Sequence, residues 1–474
     1  MPRRIGKCPV RIAGKACRIM SDKFYSKFIP SAKTSKKGVK ESRKDDRKDD
    51  RKEVSKKTDS FKKSDSLRKA SNYNDNYKDN ADANAQVMSS YPLFKKVDIK
   101  IIDNFDEIVQ GVMPLNSRQL LQLPDNIRNL SHQMTDERST RRLGYMNDKL
   151  QLSAYIRYFT WWNLVRLTRL FSSLDEKCFP SDNAVCLDLG SGPLTVVSAL
   201  WLARPDLRQK ELTWYCLDLS QNSLAAGEDI FLSIAARLPG KTWKIIRVKG
   251  SFGTFIKQKA DFITCANMFN EIEQQGDMPP EYQNKKDFDQ LINYAKPDTK
   301  FLLIEPGVPK AARTLTQFRE RFIKQGYHIY SPCPHSEDCP MDGFKAYTGS
   351  SHKWCNFAFT TTDAPKKLQQ LSINAKLPKE RAVLSFISAV PEDLAVSTKI
   401  DSSLKTLRIV SDGFNLPYHR TGFYACSSFG LTLLSVLSEE AQNYNSGDLL
   451  EVKIKTPDSA LKTDEKSGAV IIKL

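Results

Sequence analysis

Asp188-Leu189-Gly190-Ser191-Gly192-Pro193-Leu194-Thr195 stands between an apolar run suited to a buried strand, 184–189, and a segment of helical character, 195–203. Glycines at such a junction let the backbone pass close beneath a ligand. Outward from it, further strands are expected at 212–217, 244–248, 261–266 and 300–304. Helices are expected at 223–236, 288–295 and 314–324. Apolar strands alternating with helices predict an α/β fold built on a doubly wound, largely parallel sheet.

The flanks read differently. Residues 97–178 are mainly helical, most clearly over 150–171, where Leu152, Tyr155, Ile156, Phe159, Trp162 and Val165 recur at three- and four-residue intervals as one helix face requires. That stripe is read as core packing. After 391, short apolar runs at 404–410, 422–426 and 449–454 predict a small antiparallel β domain, barrel-like in character. The expected organisation is a disordered basic tail (1–96), a helical region (97–178), a doubly wound α/β domain (179–330), a cysteine-rich segment completing it (331–390) and a β-rich domain (391–474).

Charge is concentrated in the tail. Residues 1–70 carry 24 Lys and Arg against 9 Asp and Glu, a net +15 of the chain's +18, so the body is close to neutral. From 31 to 86 the chain is Lys, Asp, Ser and Asn with few large apolar groups, too little to offset ordering entropy. Two readings stand: a solubilising leader, or an arm that follows phosphates by releasing their counterions. No window reaches the roughly 18 consecutive apolar residues of a membrane span, and no secretory core is present. A soluble, unexported protein is expected, cytoplasmic if bacterial. The basic, acid-free stretch 1–21 also suits a mitochondrial transit segment, although Pro2 and Pro9 weaken its helix.

Asp218 ends the second expected strand 26 residues after Gly192, where a carboxylate can accept hydrogen bonds from ribose hydroxyls. Asp188, Gly190, Ser191, Gly192 and Asp218 together resemble the S-adenosylmethionine site of class I methyltransferases. A dinucleotide enzyme would place a third glycine near Leu194 or Thr195, and none is there. The plainer reading is a tight turn, with Asp218 capping the next helix. Leu194 replaces a glycine common in such loops and is expected to narrow the pocket. Asn267, Asn270 and Glu271 follow the fourth strand, as substrate-edge residues or as loop and cap residues. No catalytic residue is assignable, and methyl transfer needs mainly positioning.

Ten cysteines in 474 residues are too sparse for a disulfide scaffold. Cys333, Cys339, Cys355 and Cys426 have the spacing C-x5-C-x15-C-x70-C. Four thiolates suit a tetrahedral zinc or a cubane iron-sulfur cluster. The five-residue gap between the first pair is wider than zinc hairpins use and leans towards a [4Fe-4S] cluster, while His335 or His352 as a substitute ligand would favour zinc. The alternative is unrelated buried thiols. Cys178, Cys186, Cys216 and Cys265 fit that alternative, three of them within expected core strands. Cys333 and Cys339 lie in a polar loop without apolar periodicity, and nothing local marks Cys426.

With Asp188-Leu-Gly-Ser-Gly-Pro, Glu305-Pro306-Gly307, the Cys333 to Cys339 loop, Trp354-Cys355 and the late Cys426, the chain resembles the Rsm-twenty-two family over roughly 97–456. The resemblance implies a methyltransferase-fold factor that associates with the small ribosomal subunit, contacts its rRNA and assists ribosome assembly or translation. It also implies a [4Fe-4S] cluster on four cysteines, with Cys426 as the fourth ligand, and a mitochondrial matrix location as the alternative to the cytoplasm. The alternative function is an active S-adenosylmethionine-dependent rRNA methyltransferase.

Overall fold

A computed structural model describes residues 83–135, 145–272, 276–342, 353–395 and 403–474. The tail up to residue 82, with its expected disorder, lies outside the described residues. In chain order come β1 (Ala85–Tyr91) and the helices α1 (Lys100–Asp103), α2 (Phe105–Val112), α3 (Ser117–Thr135), α4 (Lys149–Tyr155) and α5 (Trp161–Ser173). A π-helical turn, Ile156–Thr160, joins α4 to α5. On it the buried Arg157 donates to Gln110 Oε1 (2.6 Å) and Met113 O (3.0 Å), tying the turn to the end of α2. Leu152, Ile156, Trp162 and Val165 of the expected stripe are buried.

The α/β part follows as β2 (Val185–Leu189), α6 (Thr195–Ala203), β3 (Thr213–Asp218), α7 (Gln221–Ala235), β4 (Lys244–Lys249), β5 (Ala260–Ala266), α8 (Pro280–Ile292), β6 (Ala295–Pro306), α9 (Pro309–Lys324), β7 (Tyr327–Ser331), β8 (Phe357–Thr360), α10 (Lys366–Asn374), β9 (Arg381–Pro391) and α11 (Glu392–Ala395). The sheet order is β4-β3-β2-β5-β6-β9-β7. Its first five strands are parallel, and β9 runs antiparallel between β6 and β7. This is a class I methyltransferase-like α/β fold. Helices cover both faces: α2 to α7 pack their apolar sides into the core that holds Trp201 and Trp214, while α8 and α9 bury Phe288, Phe318 and Phe322 on the other face. All five expected strands are present, and the parallel ladder aligns their carboxyl ends, the edge where such sheets bind ligands.

One detail of this sheet positions the cysteines. Both β7 and β8 pair with the outer side of β9: Ser331 lies opposite Ser388, and Phe357 opposite Leu384. The segment between them is therefore an excursion from a nearly continuous edge, and its two ends are held together by β9.

The last part comprises β10 (Leu404–Ile409), β11 (Phe414–Leu416), β12 (Arg420–Ser427), β13 (Gly430–Leu437), β14 (Leu449–Ile454) and β15 (Val470–Lys473). The order β1-β14-β10-β12-β13-β15 curls upon itself, because Asn84 N donates to Lys473 O (3.1 Å) and Lys473 N to Asn84 Oδ1 (2.8 Å). Leu407, Phe423, Leu434, Leu450 and Val452 fill its interior. The assignment of 1–96 to a disordered tail is corrected here, since residues 85–91 are a strand of this barrel. Its sequence, Ala-Gln-Val-Met-Ser-Ser-Tyr, has too little apolar alternation to announce itself. Its order comes from pairing with β14, Ala85 opposite Ile454. Among the described residues no helix is long and apolar enough to cross a membrane.

Candidate functional site: a glycine loop and four cysteines

At the end of β2 the chain turns through Gly190 (φ 66°), Gly192 (φ 51°) and Leu194 (φ 52°), all in the left-handed region. A Cβ on Gly190 would lie 2.9 Å from the side chain of Met268, so only glycine fits under that residue. The loop is fixed by its own acids. Asp188, 1% exposed, accepts from Ser191 Oγ (2.5 Å) and Thr264 Oγ1 (2.7 Å). Asp218 accepts from Gly192 N (2.9 Å) and Ser220 N (2.8 Å), while Ser191 N donates to Leu217 O (3.0 Å). The helix cap proper is Ser220, whose Oγ accepts from Ser223 N (3.2 Å). Asp218 thus braces the glycine turn from the neighbouring strand.

Burial pushes the Asp188 carboxyl up to about 7, against the Ser191 and Thr264 hydrogen bonds that favour its charged form. Burial also raises Asp218, and Glu271 adds to the rise. The Leu194 side chain is fully buried in the main core, and its backbone holds the left-handed conformation that glycine adopts most readily. A leucine held at positive φ costs about 1–2 kcal/mol.

At the carboxyl ends of β5 and β6, Asn267 (φ 61°) offers its Oδ1 to Arg166 Nη2 (3.2 Å). Arg166 also donates to Asn163 Oδ1 (2.9 Å) and Val383 O (3.0 Å). Glu305, fully buried, accepts from Phe269 N (2.9 Å) and Asn270 N (3.1 Å), which orders the turn after β5. Burial, aided by Glu271, lifts the Glu305 carboxyl to about 8 against the opposing Asn270 and Phe269 hydrogen bonds and the Arg166 charge. Sequence reading quoted Glu305 without giving it a role, and missed Arg166 and Thr264. A charged residue inside the apolar run 161–171 was the available signal for Arg166.

Three of the four cysteines meet at the excursion from β9. Cys333 follows β7 and Cys355 precedes β8, where Ser385 Oγ donates to Cys355 O (2.7 Å) and Cys355 N to Met341 O (3.3 Å). Cys333, Cys339 and Cys355 line one small pocket with Arg319, Pro332 and Ser385. Cys426 lies on β12, opposite Arg408 of β10, with its Sγ 2.9 Å from His335 Nε2. Burial, with a further push from the neighbouring cysteines of the set, raises the Cys339 thiol to about 11 and raises Cys355 and Cys426 as well. Among the described residues, no three His, Cys, Asp or Glu side chains are gathered as a ready group for a metal ion. His352 lies outside the described residues. Cys178, Cys186, Cys216 and Cys265 are fully buried core thiols.

Two guanidiniums face the four sulfurs. Arg319, 3% exposed on α9, donates from Nε to Cys333 Sγ (3.2 Å) and from Nη2 to His335 O (2.9 Å) and Glu337 O (2.6 Å). The buried Arg408 donates to Pro332 O (2.9 Å) and Gly447 O (2.7 Å). Burial lowers the Arg319 pKa, but the neighbouring sulfurs of Cys333, Cys339 and Cys426 outweigh it and leave the group raised. Both arginines escaped sequence reading. The signal for Arg319 was its place on the helix face of Leu315, Phe318 and Phe322, where a cation has no reason to be unless something balances it.

A family model described as mitochondrial small ribosomal subunit Rsm22 (Rsm-twenty-two) matches residues 151–412. No curated protein matches the chain. Solved structures similar to it include a SAM-dependent methyltransferase from Aquifex aeolicus, at 15% identity over 32% of this chain and 77% of that one, with a TM-score of 0.23. Another is precorrin-6y C5,15-methyltransferase from Geobacter metallireducens, at 15% identity, 48% and 87% coverage and a TM-score of 0.28. A third is a SAM-dependent methyltransferase from Geobacter sulfurreducens in complex with S-adenosyl-L-homocysteine, at 12% identity, 48% and 90% coverage and a TM-score of 0.28.

Proposed function

The chain belongs to the mitochondrial small ribosomal subunit Rsm22 family, and from that premise we propose that it is an iron-sulfur-containing factor of the mitochondrial matrix. It binds the rRNA of the small ribosomal subunit and assists its assembly or translation, while keeping a methyltransferase-like fold. The observation that carries the metal reading is Arg319. A buried guanidinium needs a counter-charge, and Arg319, 3% exposed, donates to Cys333 Sγ (3.2 Å) in a pocket it shares with Cys339 and Cys355. Neutral thiols do not supply that charge; metal-bound thiolates do. The donor set therefore fits a [4Fe-4S] cluster on Cys333, Cys339, Cys355 and Cys426, with zinc as the alternative. A bound centre supplies structural cross-linking between β7, β8 and the barrel strand β12, so its binding energy adds to that of folding.

The basic stretch 1–70 supports the RNA reading, because a net +15 releases counterions from phosphates. Anaerobic purification followed by iron, sulfide and zinc analysis tests the metal. Binding to small-subunit rRNA, with and without metal at equal salt, tests its purpose. A protein free of iron and zinc sinks the first, and equal RNA affinity with and without metal sinks the coupling.

A second reading, a working S-adenosylmethionine-dependent rRNA methyltransferase, is favoured by the glycine turn braced against Asp218. Asp188, Gly190, Ser191, Gly192 and Asp218 would hold the cofactor, whose chemistry is an activated methyl group. Gly190 and Gly192 let it approach the backbone, and Asp218 retains lone pairs for ribose hydroxyls. Calorimetry that finds no binding of millimolar S-adenosylmethionine would remove this reading.

A further inference from the structure

We infer that Arg319 and Arg408 are positioning residues of the four-cysteine centre, fixing its ligand loop and setting how readily a bound cluster accepts an electron. The inference rests on the metal reading above but concerns residues outside the ligand set.

The geometry has two parts. First, the carbonyls along the loop are held from outside. Pro332 O is taken by Arg408, Pro334 O by Thr406 Oγ1 (3.3 Å), and His335 O and Glu337 O by Arg319. The loop that presents Cys333 and Cys339 is thus shaped by α9 and β10. Such outer partners typically change metal affinity by about 10–100-fold when removed.

Second, the charges balance. A four-thiolate site holding an oxidised [4Fe-4S] core carries two net negative charges, and zinc on four thiolates carries the same. Two buried guanidiniums offset them where solvent screens poorly. Arg319 donates directly to the Cys333 sulfur, and His335 Nε2 lies 2.9 Å from the Cys426 sulfur. A one-electron reduction by dithionite adds a third negative charge to the cluster and oxidises the dithionite. Removing one guanidinium leaves that charge less compensated, so the reduced form is disfavoured and the potential moves to a more negative value.

The test uses the full chain, purified without oxygen. Arg319→Met keeps length and apolar bulk but removes the charge and the donors. Arg319→Lys keeps the charge without the planar fork. Mediated potentiometric titration with dithionite, followed by electron paramagnetic resonance, reads the potential. Iron release to a ferrous chelator reads loop order. Arg319→Met should titrate at a more negative potential and release iron about tenfold faster. Arg319→Lys should restore the potential towards the parent value while release stays fast. Arg408→Met should shift the potential in the same direction and serves if Arg319→Met fails to fold. A soluble Arg319→Met protein with full iron and unchanged potential overturns the electrostatic role, and unchanged release overturns the positioning role. If the parent protein holds zinc, release to a chelator is the deciding readout. A parent protein without metal overturns this inference together with the reading beneath it.

Discussion

The glycine loop and the cysteine centre leave separate strands of one sheet, yet the chain assembles them in different ways. In the loop, residues 188 to 192 and Asp218 satisfy one another: each carboxylate meets two donors from the loop, its flanking strands or the start of the next helix. Its shape follows from local backbone conformation. The cysteine centre draws on the ends of β7 and β8, the loop between them and a strand of the barrel, and it adds two arginines from further elements. Its sulfurs and guanidiniums are buried opposite one another, so on the proposed reading its stability depends on a bound metal. A site built from nearby residues can be rigid without a ligand. A site built from distant charged residues needs a partner to hold it.

Exchanging one thiol on each side of this contrast should give the largest effect. Cys355→Ser is expected to abolish metal retention and to lower the melting temperature of the anaerobically purified protein by several degrees, because binding energy that supports the fold is lost. Cys186→Ser, in the core beneath the loop, is expected to leave metal content unchanged and to cost about 1–3 kcal/mol for a buried hydroxyl without a designed partner. Metal analysis and thermal melts read both. Equal metal content in the two variants would erase the contrast.

Leu194 allows the loop's local encoding to be tested against its packing. Leu194→Gly relieves a left-handed leucine, worth about 1–2 kcal/mol, but removes a fully buried side chain whose loss costs about 2–5 kcal/mol. The cavity outweighs the strain, and the added freedom of glycine in the unfolded chain works the same way. A net destabilisation of about 1–3 kcal/mol by urea unfolding is expected. A more stable variant would show that the loop is strained more than it is packed.

What the sequence revealed follows the same division. The five parallel strands and the glycine turn were legible because each is a contiguous run with its own signature, and Asp218 was found by its fixed distance from Gly192. Cys333 and Cys339 stood out because thiols in a polar loop lack a packing reason. The hidden parts depend on distant pairing. β1 is a strand only because β14 lies beside it, and β9 inserts antiparallel between strands that precede it in the chain. The meeting of Cys333 with Cys355 depends on β9 as well. Arg408 is an ordinary residue in sequence and becomes informative only when its burial is known, whereas Arg319 was marked only by its place on an apolar helix face.

The smallest expected effect, and the one that isolates the loop, is on pH dependence. In the folded protein Asp188 is raised to about 7 and Glu305 to about 8, while unfolded carboxyls titrate near about 4. Between those values the folded protein keeps protons that the unfolded chain has released. Their contribution to stability is therefore fully present below about pH 4 and is lost as pH rises towards about 8. Asp188→Asn removes its share, so the stability of the parent relative to this variant should fall across that window, as read from urea midpoints. Taking the difference cancels opposing groups, including His335, which burial lowers to about 4. The metal-free thiols add little slope here, since Cys339 titrates only at about 11 and Cys355 and Cys426 are also raised. A difference that rises with pH would mean that the Ser191 and Thr264 hydrogen bonds outweigh burial and hold Asp188 ionised, making the loop a charged site like its neighbour.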